Sequence, residues 1–474
     1  MPSVAELIKA LPEVEAMERE EKFTVPSPLE QMSLRPIPVG RWRRLGMLGT
    51  LQAKIAAAYL FYWLRSWFSH ATESERNLAE THWRTALRML DSMSYLRGAA
   101  MKVGQMMANF PDVAPREFVD TLDRLHFDAP PMHWSLLREM VHNELGSDVE
   151  QLFASFDHDA FAAASLGQVH RATLTSGEDV AVKIQYPGVG RAINDDLRNL
   201  MLFLLPSRLT RDWEYVKAQF EDIRSRLEME CDYQQEAANQ IHIRNLYRES
   251  DGVVVPRVIP RVSTSRVLTM EYIGGVHLDR YLQGNPSQQQ RNVVAERLVR
   301  AWYRMIYAGR TLYIDFHPGN VLFLDDGRIG LLDFGMMIPL DAKLWHLMEV
   351  MDKPLTTGRR EDRDAANRLW CELSDQEYIG ERKAIMDRFA DWSWRPRYCG
   401  GEFDFGDEAD FREGVDLFAQ MVKRRYSRAQ PCTPLIARQQ FGWRSILYRL
   451  KAKLDIRPIA EEEVAITGWD RSYT

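Results

Sequence analysis

Residues 312–335 read LYIDFHPGNVLFLDDGRIGLLDFG, and this stretch decides the fold. Two short, mostly apolar runs, 321–324 and 329–333, flank an Asp326-Gly327 pair. Asp-Gly between two such runs is a strong local signal for a β-hairpin. The sequence therefore predicts a two-stranded hairpin that folds the segment before it back beside the segment after it.

Three oxygen-bearing side chains flank this hairpin: Asp315, Asn320 and Asp333. Asn320 and Asp333 offer the hard oxygen atoms that Mg²⁺ prefers, in a type of site that leaves other positions to water and substrate phosphates. Asp315 precedes Asn320 by the Asp-to-Asn interval found in catalytic loops of phosphoryl-transfer enzymes. The Asp-Phe-Gly tripeptide at 333–335 is weak evidence alone, because short motifs recur by chance. Its value depends on the motifs that precede it.

Length and composition restrict the class of protein. A chain of 474 residues exceeds the usual size of one hydrophobic core, so we expect two lobes. Hydrophobic content of 45% with 27% charge is typical of globular proteins, and a net charge of -6 argues against a general nucleic-acid binder. The four cysteines show no CxxC spacing, which argues against a zinc site or disulfide framework and favours a reducing compartment.

Apolar periodicity and turn residues divide the chain into helical and strand-rich parts. The predicted elements are a helical layer over about 50–109, a helix over 134–145 ended by Gly146, strands over 167–174 and 180–185, a long polar helix over 212–249, and strands near 253–255, 258–262 and 266–271. After Gly275 the pattern is helical again, apart from the hairpin. A small sheet-containing lobe is therefore expected before a mainly helical lobe.

Lys183 lies inside the apolar strand pattern VAVKI at 180–184. Burial of its charge without a partner would be costly. We therefore expect phosphate oxygens and a carboxylate from a neighbouring helix as its partners. A strand-edge lysine that points to solvent is the alternative.

The preceding segment, FAAASLGQVH at 161–170, occupies the place of a glycine-rich phosphate-binding loop. The Cβ atoms of Ala162, Ala163 and Ala164 restrict positive φ and close approach of the backbone, so we expect phosphates to be held differently there. A small-residue helix start packed against the sheet is an alternative, and the two are compatible.

Two further segments carry candidate partners. Glu230 and Glu236 are six residues apart and do not share one helical face, so they serve different partners only if their helix bends. One of them could meet Lys183. Lys102 and Gln105 share one face of another predicted helix. A solvated face for the glutamates and a polar edge for Lys102 and Gln105 are the alternatives.

The best membrane candidate is residues 41–65, but Lys54 divides it into charge-free runs of nine and ten residues. Such runs are too short to span a bilayer, so we expect no transmembrane helix. The aromatic residues of this segment could lie in a bilayer interface or dock on the protein's own lobe. The acidic N-terminal segment lacks a signal-peptide pattern. We therefore expect a cytoplasmic protein, with peripheral contact at the inner face of a membrane left open.

Taken in order, these motifs resemble those of the UbiB (AarF/ADCK) family of atypical protein-kinase-like proteins. They are KVGQ at 102–105, AAAS at 162–165, VAVK at 180–183, ECDYQQE at 230–236, DFHPGN at 315–320 and DFG at 333–335. The resemblance implies an α+β class and a bilobal protein-kinase-like fold, with a small β-sheet N-lobe and a mainly helical C-lobe. An N-terminal helical extension would carry the KxGQ motif. The implied divisions are an arm with an amphipathic helix over 1–75, the KxGQ extension over 76–150, the N-lobe over 151–275 and the C-lobe over 276–474.

The resemblance also implies ATP and Mg²⁺ as cofactors and assigns roles by position. Lys183 would contact the α- and β-phosphates and pair with Glu236. Asn320 and Asp333 would ligate Mg²⁺, and Asp315 would be the catalytic aspartate. The other implied nucleotide-side residues are Ala162, Ala163, Ala164 and Ser165 in the loop, Lys102 and Gln105 over the cleft, Glu230 and Asp232 as partners of Lys102, and Glu271 and Tyr272 in a hinge that receives adenine.

The implied activity is an ATPase or a kinase of a small or lipid-like molecule that supports isoprenoid quinone (ubiquinone) biosynthesis. Quinone-biosynthesis proteins and lipid precursors would be partners. A helix over the cleft and the lack of an APE-like segment after DFG argue against an ordinary protein kinase. A non-catalytic, nucleotide-gated scaffold for a biosynthetic complex is the alternative. The chain departs from the family pattern at Tyr313, where a histidine is common, and in its C-terminal segment, which lacks a hydrophobic anchor.

Overall fold

The computed structural model describes residues 132–164, 166–191, 193–194, 213–372, 376–424, 426, 433–467 and 469. In chain order the elements are α1 (Trp134–Leu145), α2 (Val149–Leu152), β1 (Phe153–Ala164), β2 (Gly167–Leu174), β3 (Asp179–Gln185), α3 (Trp213–Glu230), α4 (Tyr233–Arg244), β4 (Val253–Val254), β5 (Val267–Glu271), α5 (Leu278–Gln283), α6 (Gln288–Tyr307), β6 (Thr311–Tyr313), β7 (Val321–Phe323), β8 (Ile329–Leu331), β9 (Met337–Pro339), α7 (Ala342–Thr357), α8 (Arg360–Glu372), α9 (Gly380–Tyr398), β10 (Phe403–Asp404), α10 (Glu408–Lys423), α11 (Thr433–Leu450), β11 (Lys453–Leu454) and α12 (Ile456–Ala465). The predicted α+β class is confirmed.

The first lobe is built on an antiparallel four-stranded sheet in the order β1-β2-β3-β5. Strand β3 is buried on both faces. Its residues Val180, Val182 and Ile184 join the main core, while Lys183 lies on the opposite face with Ala181. The predicted hairpin of β2 and β3 is confirmed, as is helix α1, which ends at Gly146 in the left-handed conformation (φ 71°).

Two predicted elements are wrong. The single helix predicted over 212–249 is two helices, α3 and α4, because the chain leaves the helix at Cys231 and Asp232. The Tyr233 amide donates to the Ser265 carbonyl (3.0 Å), and the Asp232 carboxylate begins a new helix as its N-cap. The strand predicted at 258–262 is a short 3₁₀ turn over Pro260–Val262, since proline cannot donate to a strand ladder.

The alanine-rich segment is neither a loop nor a helix start. Ala162, Ala163 and Ala164 are the last residues of β1 and pair with β2, opposite Val169, Gln168 and Gly167. The ladder with β2 holds the backbone of these alanines extended, so they form the rim of the sheet.

The second lobe is mainly helical and surrounds α6, whose capping box of Ser287 and Gln290 fixes its start. The predicted 321–333 hairpin is confirmed as β7 and β8, which pair antiparallel, and β8 also pairs with β4 in parallel. One contiguous hydrophobic cluster includes residues of both lobes, from Leu137 in α1 to Ile456 in α12. The hairpin therefore holds the 315–320 and 333–335 segments beside the first lobe.

Candidate nucleotide site

Lys183 and Glu236 form the centre of the candidate site. The Lys183 Nζ atom lies 2.7 Å and 2.9 Å from the two carboxylate oxygens of Glu236, and both side chains are buried. Glu236 is on α4, so the break between α3 and α4 turns it toward β3. The alternative of a solvent-facing lysine is thereby excluded.

Asp333 joins this pair from the second lobe. Its Oδ2 atom lies 3.4 Å from Lys183 Nζ, and its side chain is 30% exposed, against 3% for Glu236. Its Oδ1 atom accepts a hydrogen bond from the Gly335 amide (3.1 Å). The backbone of Asp333 has a positive φ of 58°, a strained region that aspartate tolerates better than most residues. Asp333 therefore has the carboxylate that is open to a ligand, while Glu236 has the one that holds the lysine.

The electrostatics keep Lys183 charged. Burial alone would lower the pKa of its ammonium, but Asp333 and Glu236 outweigh burial and hold that pKa well above its ordinary value. Burial raises the pKa of Glu236 to about 7, against the opposing effect of Lys183. Two carboxyl groups, those of Glu236 and Asp333, therefore flank a single ammonium group.

Asn320 is oriented by Asp315. The Asn320 Nδ2 atom donates to the Asp315 carbonyl oxygen (2.9 Å) and lies 3.3 Å from its Oδ2 atom. This orientation leaves the amide oxygen of Asn320 as the atom available to a metal ion. The Asn320 carbonyl accepts from the Leu332 amide (2.9 Å), which fixes Asn320 next to the residue that precedes Asp333.

Tyr313 also holds the segment that precedes Asp333. It is fully buried, and its hydroxyl donates to the Leu332 carbonyl (2.7 Å). Its ring stacks on Phe334 at 5.8 Å and meets the edge of Phe316 at 5.5 Å. Both backbone groups of Leu332 are therefore held by the 313–320 segment. The tyrosine that departs from the family pattern braces the Asp333 turn through its hydroxyl group.

The predicted hinge residues lie at the end of β5. The Glu271 side chain accepts from the Arg257 amide (3.1 Å), and the Tyr272 amide donates to the Asp179 carbonyl (3.0 Å). Tyr272 also packs under the guanidinium of Arg171 and against the exposed ring of Phe161 at the rim of the sheet. The Glu271 amide is also engaged, since it donates to the Arg257 carbonyl (2.8 Å), and the role of this segment in adenine binding stays a prediction.

The structure describes only part of the predicted set of site residues. Lys102, Gln105 and Ser165 lie outside the described residues, so their roles stay predictions, as does the pairing of Lys102 with Glu230 and Asp232. Glu230 is buried at the end of α3. Asp232 accepts from the Gln234 amide (2.9 Å) as the N-cap of α4.

Two residues of this region escaped the sequence reasoning. The Tyr233 ring lies 5.1 Å from Lys183 Nζ and is buried, which covers one side of the ammonium group. The side-chain amide of Asn239 donates a hydrogen bond to the Phe334 carbonyl (2.9 Å) and so connects α4 to the Asp333 turn. Asn239 follows Glu236 by three residues, a helical spacing that could have predicted a shared face.

The described residues contain no cluster of three or more His, Cys, Asp or Glu side chains that could hold a metal ion by themselves. Asn320 and Asp333 instead offer one amide and one carboxylate oxygen, a donor set that fits Mg²⁺ with phosphate and water as its other ligands. In the described part of the chain, no helix has the length and apolarity needed to cross a membrane.

Comparison with known proteins identifies the family. The model of the ABC1 atypical kinase-like domain matches residues 124–357. The rat atypical kinase COQ8B (Rattus norvegicus), a mitochondrial protein, is 30% identical over 80% of this chain and 71% of its own length. The probable serine/threonine-protein kinase abkA of Dictyostelium discoideum is 34% identical over 53% of this chain and 46% of its own length. The chain spans about half the length of several such relatives.

A solved structure supports the same assignment. It is the complex of Rv3197 with erythromycin from Mycobacterium tuberculosis. The two sequences are 25% identical, the TM-score is 0.55, and the match covers 84% of this chain and all of the solved chain. The motifs, the two-lobed fold and these relatives agree. The chain belongs to the UbiB (AarF/ADCK) family of atypical kinase-like proteins.

Proposed function

We propose that the chain binds MgATP between Lys183 and the Asp333 turn and catalyses transfer of the terminal phosphoryl group to water or to a small or lipid-like molecule. The observation that carries this proposal is the cluster of Lys183, Glu236 and Asp333, with the free oxygen of Asn320 directed by Asp315. A family membership in which relatives are named atypical kinases supports it.

Each residue has a physical role in this proposal. Lys183, held by Glu236, neutralises phosphate oxygens, and the Asp333 carboxylate and Asn320 amide oxygen hold the cation. Bound Mg²⁺ supplies charge neutralisation of the phosphates. Asp315 accepts a hydrogen bond from the attacking hydroxyl or water and orients it, while its contact with Asn320 keeps it in place.

The pathway served is also a proposal. Relatives named COQ8 and COQ8B, together with the motif resemblance, support a role in isoprenoid quinone biosynthesis at membranes. The acceptor would then be a lipid precursor or water, and biosynthetic proteins would be partners.

The test is phosphate release from MgATP together with nucleotide binding by calorimetry. We expect Asp333→Asn to abolish Mg²⁺-dependent binding. We expect Asp315→Asn to keep binding but to lose turnover by ~10²-fold or more, because it removes one positioned catalytic group. Asp325→Asn, at an exposed position in the hairpin turn, is the control and should change neither quantity.

Unchanged phosphate release in both site variants would exclude the enzymatic proposal. Tight MgATP binding by the wild type without turnover, in the presence of anionic liposomes and a quinone-precursor analogue, would instead support the nucleotide-gated scaffold. Robust labelling of proteins in a lysate with radiolabelled ATP would support an ordinary protein kinase.

A further inference from the structure

The peptide group that joins Phe334 to Gly335 is hydrogen-bonded at both of its polar atoms. Its carbonyl oxygen accepts a bond from the side-chain amide of Asn239 (2.9 Å), and its N–H donates to the Oδ1 atom of Asp333 (3.1 Å). The C=O and N–H of a trans peptide point in opposite directions, so a single orientation of this group makes both bonds. The bond from Asn239 therefore keeps the Gly335 amide directed at the Asp333 carboxylate.

The local backbone makes an outside anchor of this kind necessary. Asp333 has a φ of 58°, and a residue in this region stays there only where its surroundings fix it. Gly335 restricts the rotation of the peptide group very little, because it has no Cβ atom. A Cβ atom on Gly335 would lie 3.3 Å from Asp333 Oδ1 and 3.8 Å from Glu236 Oε2, so the turn packs directly against α4.

The orientation of the Asn239 amide is set within α4. The side-chain amide of Gln235, one helical turn earlier, donates to the Asn239 Oδ1 atom (3.0 Å). Because that oxygen is occupied as an acceptor, the nitrogen of Asn239 is the atom that faces Phe334. The helix itself is fixed to the first lobe, where the Gln240 side chain donates to the Pro256 carbonyl (2.7 Å). A bond from the first lobe therefore sets the direction of a peptide group in the second.

We propose that Asn239 is a positioning residue for the metal and the nucleotide. It holds the Phe334–Gly335 peptide group, and this group in turn holds the Asp333 carboxylate beside Lys183. Asn239 itself contacts neither Lys183 nor Asp333 and acts through the backbone. The role rests on the proposed MgATP site, but the orientation of the peptide group exists without a ligand and is measured separately.

Hydrogen exchange of the nucleotide-free full chain, with fragmentation that resolves single amides, measures this orientation. In Asn239→Ala we expect the Gly335 amide to exchange about fivefold faster or more, the factor that corresponds to the net value of one hydrogen bond. Alanine is favoured over asparagine inside a helix, so the melting temperature should stay close to that of the wild type.

Calorimetric titration measures the effect on the site. In Asn239→Ala we expect the Mg²⁺ concentration for half-maximal ATP binding to rise about fivefold, for the same reason. Binding of ATP in the presence of EDTA, which depends on Lys183, should stay unchanged. A role in stability alone would not separate these two quantities.

Two further variants on α4 make the assignment specific. Gln235→Ala removes the bond that orients Asn239 and should shift both the exchange rate and the Mg²⁺ dependence in the same direction by a smaller factor. Gln235 is exposed, so this variant folds. Asn245→Ala, at an exposed asparagine that caps the other end of α4, is the matched control and should change neither quantity.

Each contrary result has a separate meaning. An unchanged exchange rate of the Gly335 amide in Asn239→Ala would overturn the positioning role, whatever the nucleotide data show. Faster exchange with an unchanged Mg²⁺ dependence would overturn it as well, since Asn239 would then order the turn without placing the ligand. A wild-type protein that binds no MgATP would overturn the proposed function together with this role, and it differs from the first two results because the wild type itself fails.

Discussion

At the scale of single residues, Tyr313 shows how a departure from a motif is accommodated. A histidine is common at this position in the family, and the tyrosine reaches the Leu332 carbonyl with its hydroxyl while its ring stacks on Phe334. The residue therefore couples the segment with Asp315 to the segment with Asp333. Sequence alone located the departure but could not show what the hydroxyl binds, because its partner is nineteen residues away in the chain.

Tyr313→Phe removes only this hydroxyl. We expect the free energy of unfolding to fall by about 1 kcal/mol, the net value of a buried hydrogen bond. We also expect the Mg²⁺ concentration for half-maximal nucleotide binding to rise severalfold, because the Asp333 turn loses one of its two anchors on Leu332. Urea denaturation and calorimetric titration measure the two effects.

Tyr448→Phe, a tyrosine whose ring stacks on Phe411 far from Leu332 in the chain, is the matched control for Tyr313. If Tyr313→Phe lowers stability but leaves the Mg²⁺ dependence unchanged, Tyr313 supports the fold and does not position the site.

At the scale of elements, the break between α3 and α4 is the feature that assembles the site. It turns Glu236 toward Lys183, and two hydrogen bonds to other parts of the chain hold it. The Tyr233 amide donates to the Ser265 carbonyl, and the side chain of Gln185 donates to the Cys231 carbonyl (both 3.0 Å). Sequence spacing showed that Glu230 and Glu236 need a bent helix to serve different partners. The continuous helical pattern hid the break, because its cause is tertiary hydrogen bonding.

Asp232→Ala tests this break. We expect it to lower the free energy of unfolding by about 1 kcal/mol, since the N-cap carboxylate of α4 is lost, whereas Asp232→Asn keeps an acceptor and should cost only a few tenths. Phosphate release adds a second comparison. If Asp232 also pairs with Lys102, as the family resemblance implies, Asp232→Asn should lose activity without losing stability.

The exposed turn residue Asp325→Ala is the reference for the loss of an aspartate without a capping role. Equal stability of Asp232→Ala and wild type would show that the cap does not hold the break.

At the scale of the whole molecule, α11 packs the helical lobe against the segment that carries Asp315. Gly442 packs so closely on Phe316 that an added Cβ atom would overlap the Phe316 carbonyl oxygen. Gln439 and Trp443, on the same stretch of α11, line a cleft between helices of that lobe. The sequence could predict the motif-bearing part of the chain, because the spacing between motif residues follows from the chemistry of the site.

The helices over 342–465 carry few motifs, and they pack against residues that are distant in sequence, so their arrangement could not be predicted in this way.

Gly442→Ala separates helix propensity from packing. Alanine is favoured over glycine inside a helix by about 1 kcal/mol, yet we expect this variant to be less stable than wild type, because the methyl group must displace Phe316. Displacement of the residue next to Asp315 should lower turnover by ~10-fold or more while nucleotide binding changes little. Thermal unfolding and single-turnover kinetics measure both effects.

Gly190→Ala, whose added methyl group meets nothing within 4 Å, is the matched control. A Gly442→Ala variant that gains stability and keeps full turnover would contradict the close contact with Phe316.

The positive φ of Asp333 has a consequence for the history of such sites. Asparagine is the other common side chain that accepts the left-handed region, so a single change to asparagine removes the charge and leaves the local strain nearly constant. Alanine or leucine there would add a backbone penalty to the lost ligand. Descendants that lose the activity but keep the fold should therefore have asparagine or glycine at this position. These two residues remove the carboxylate and still accept the positive φ.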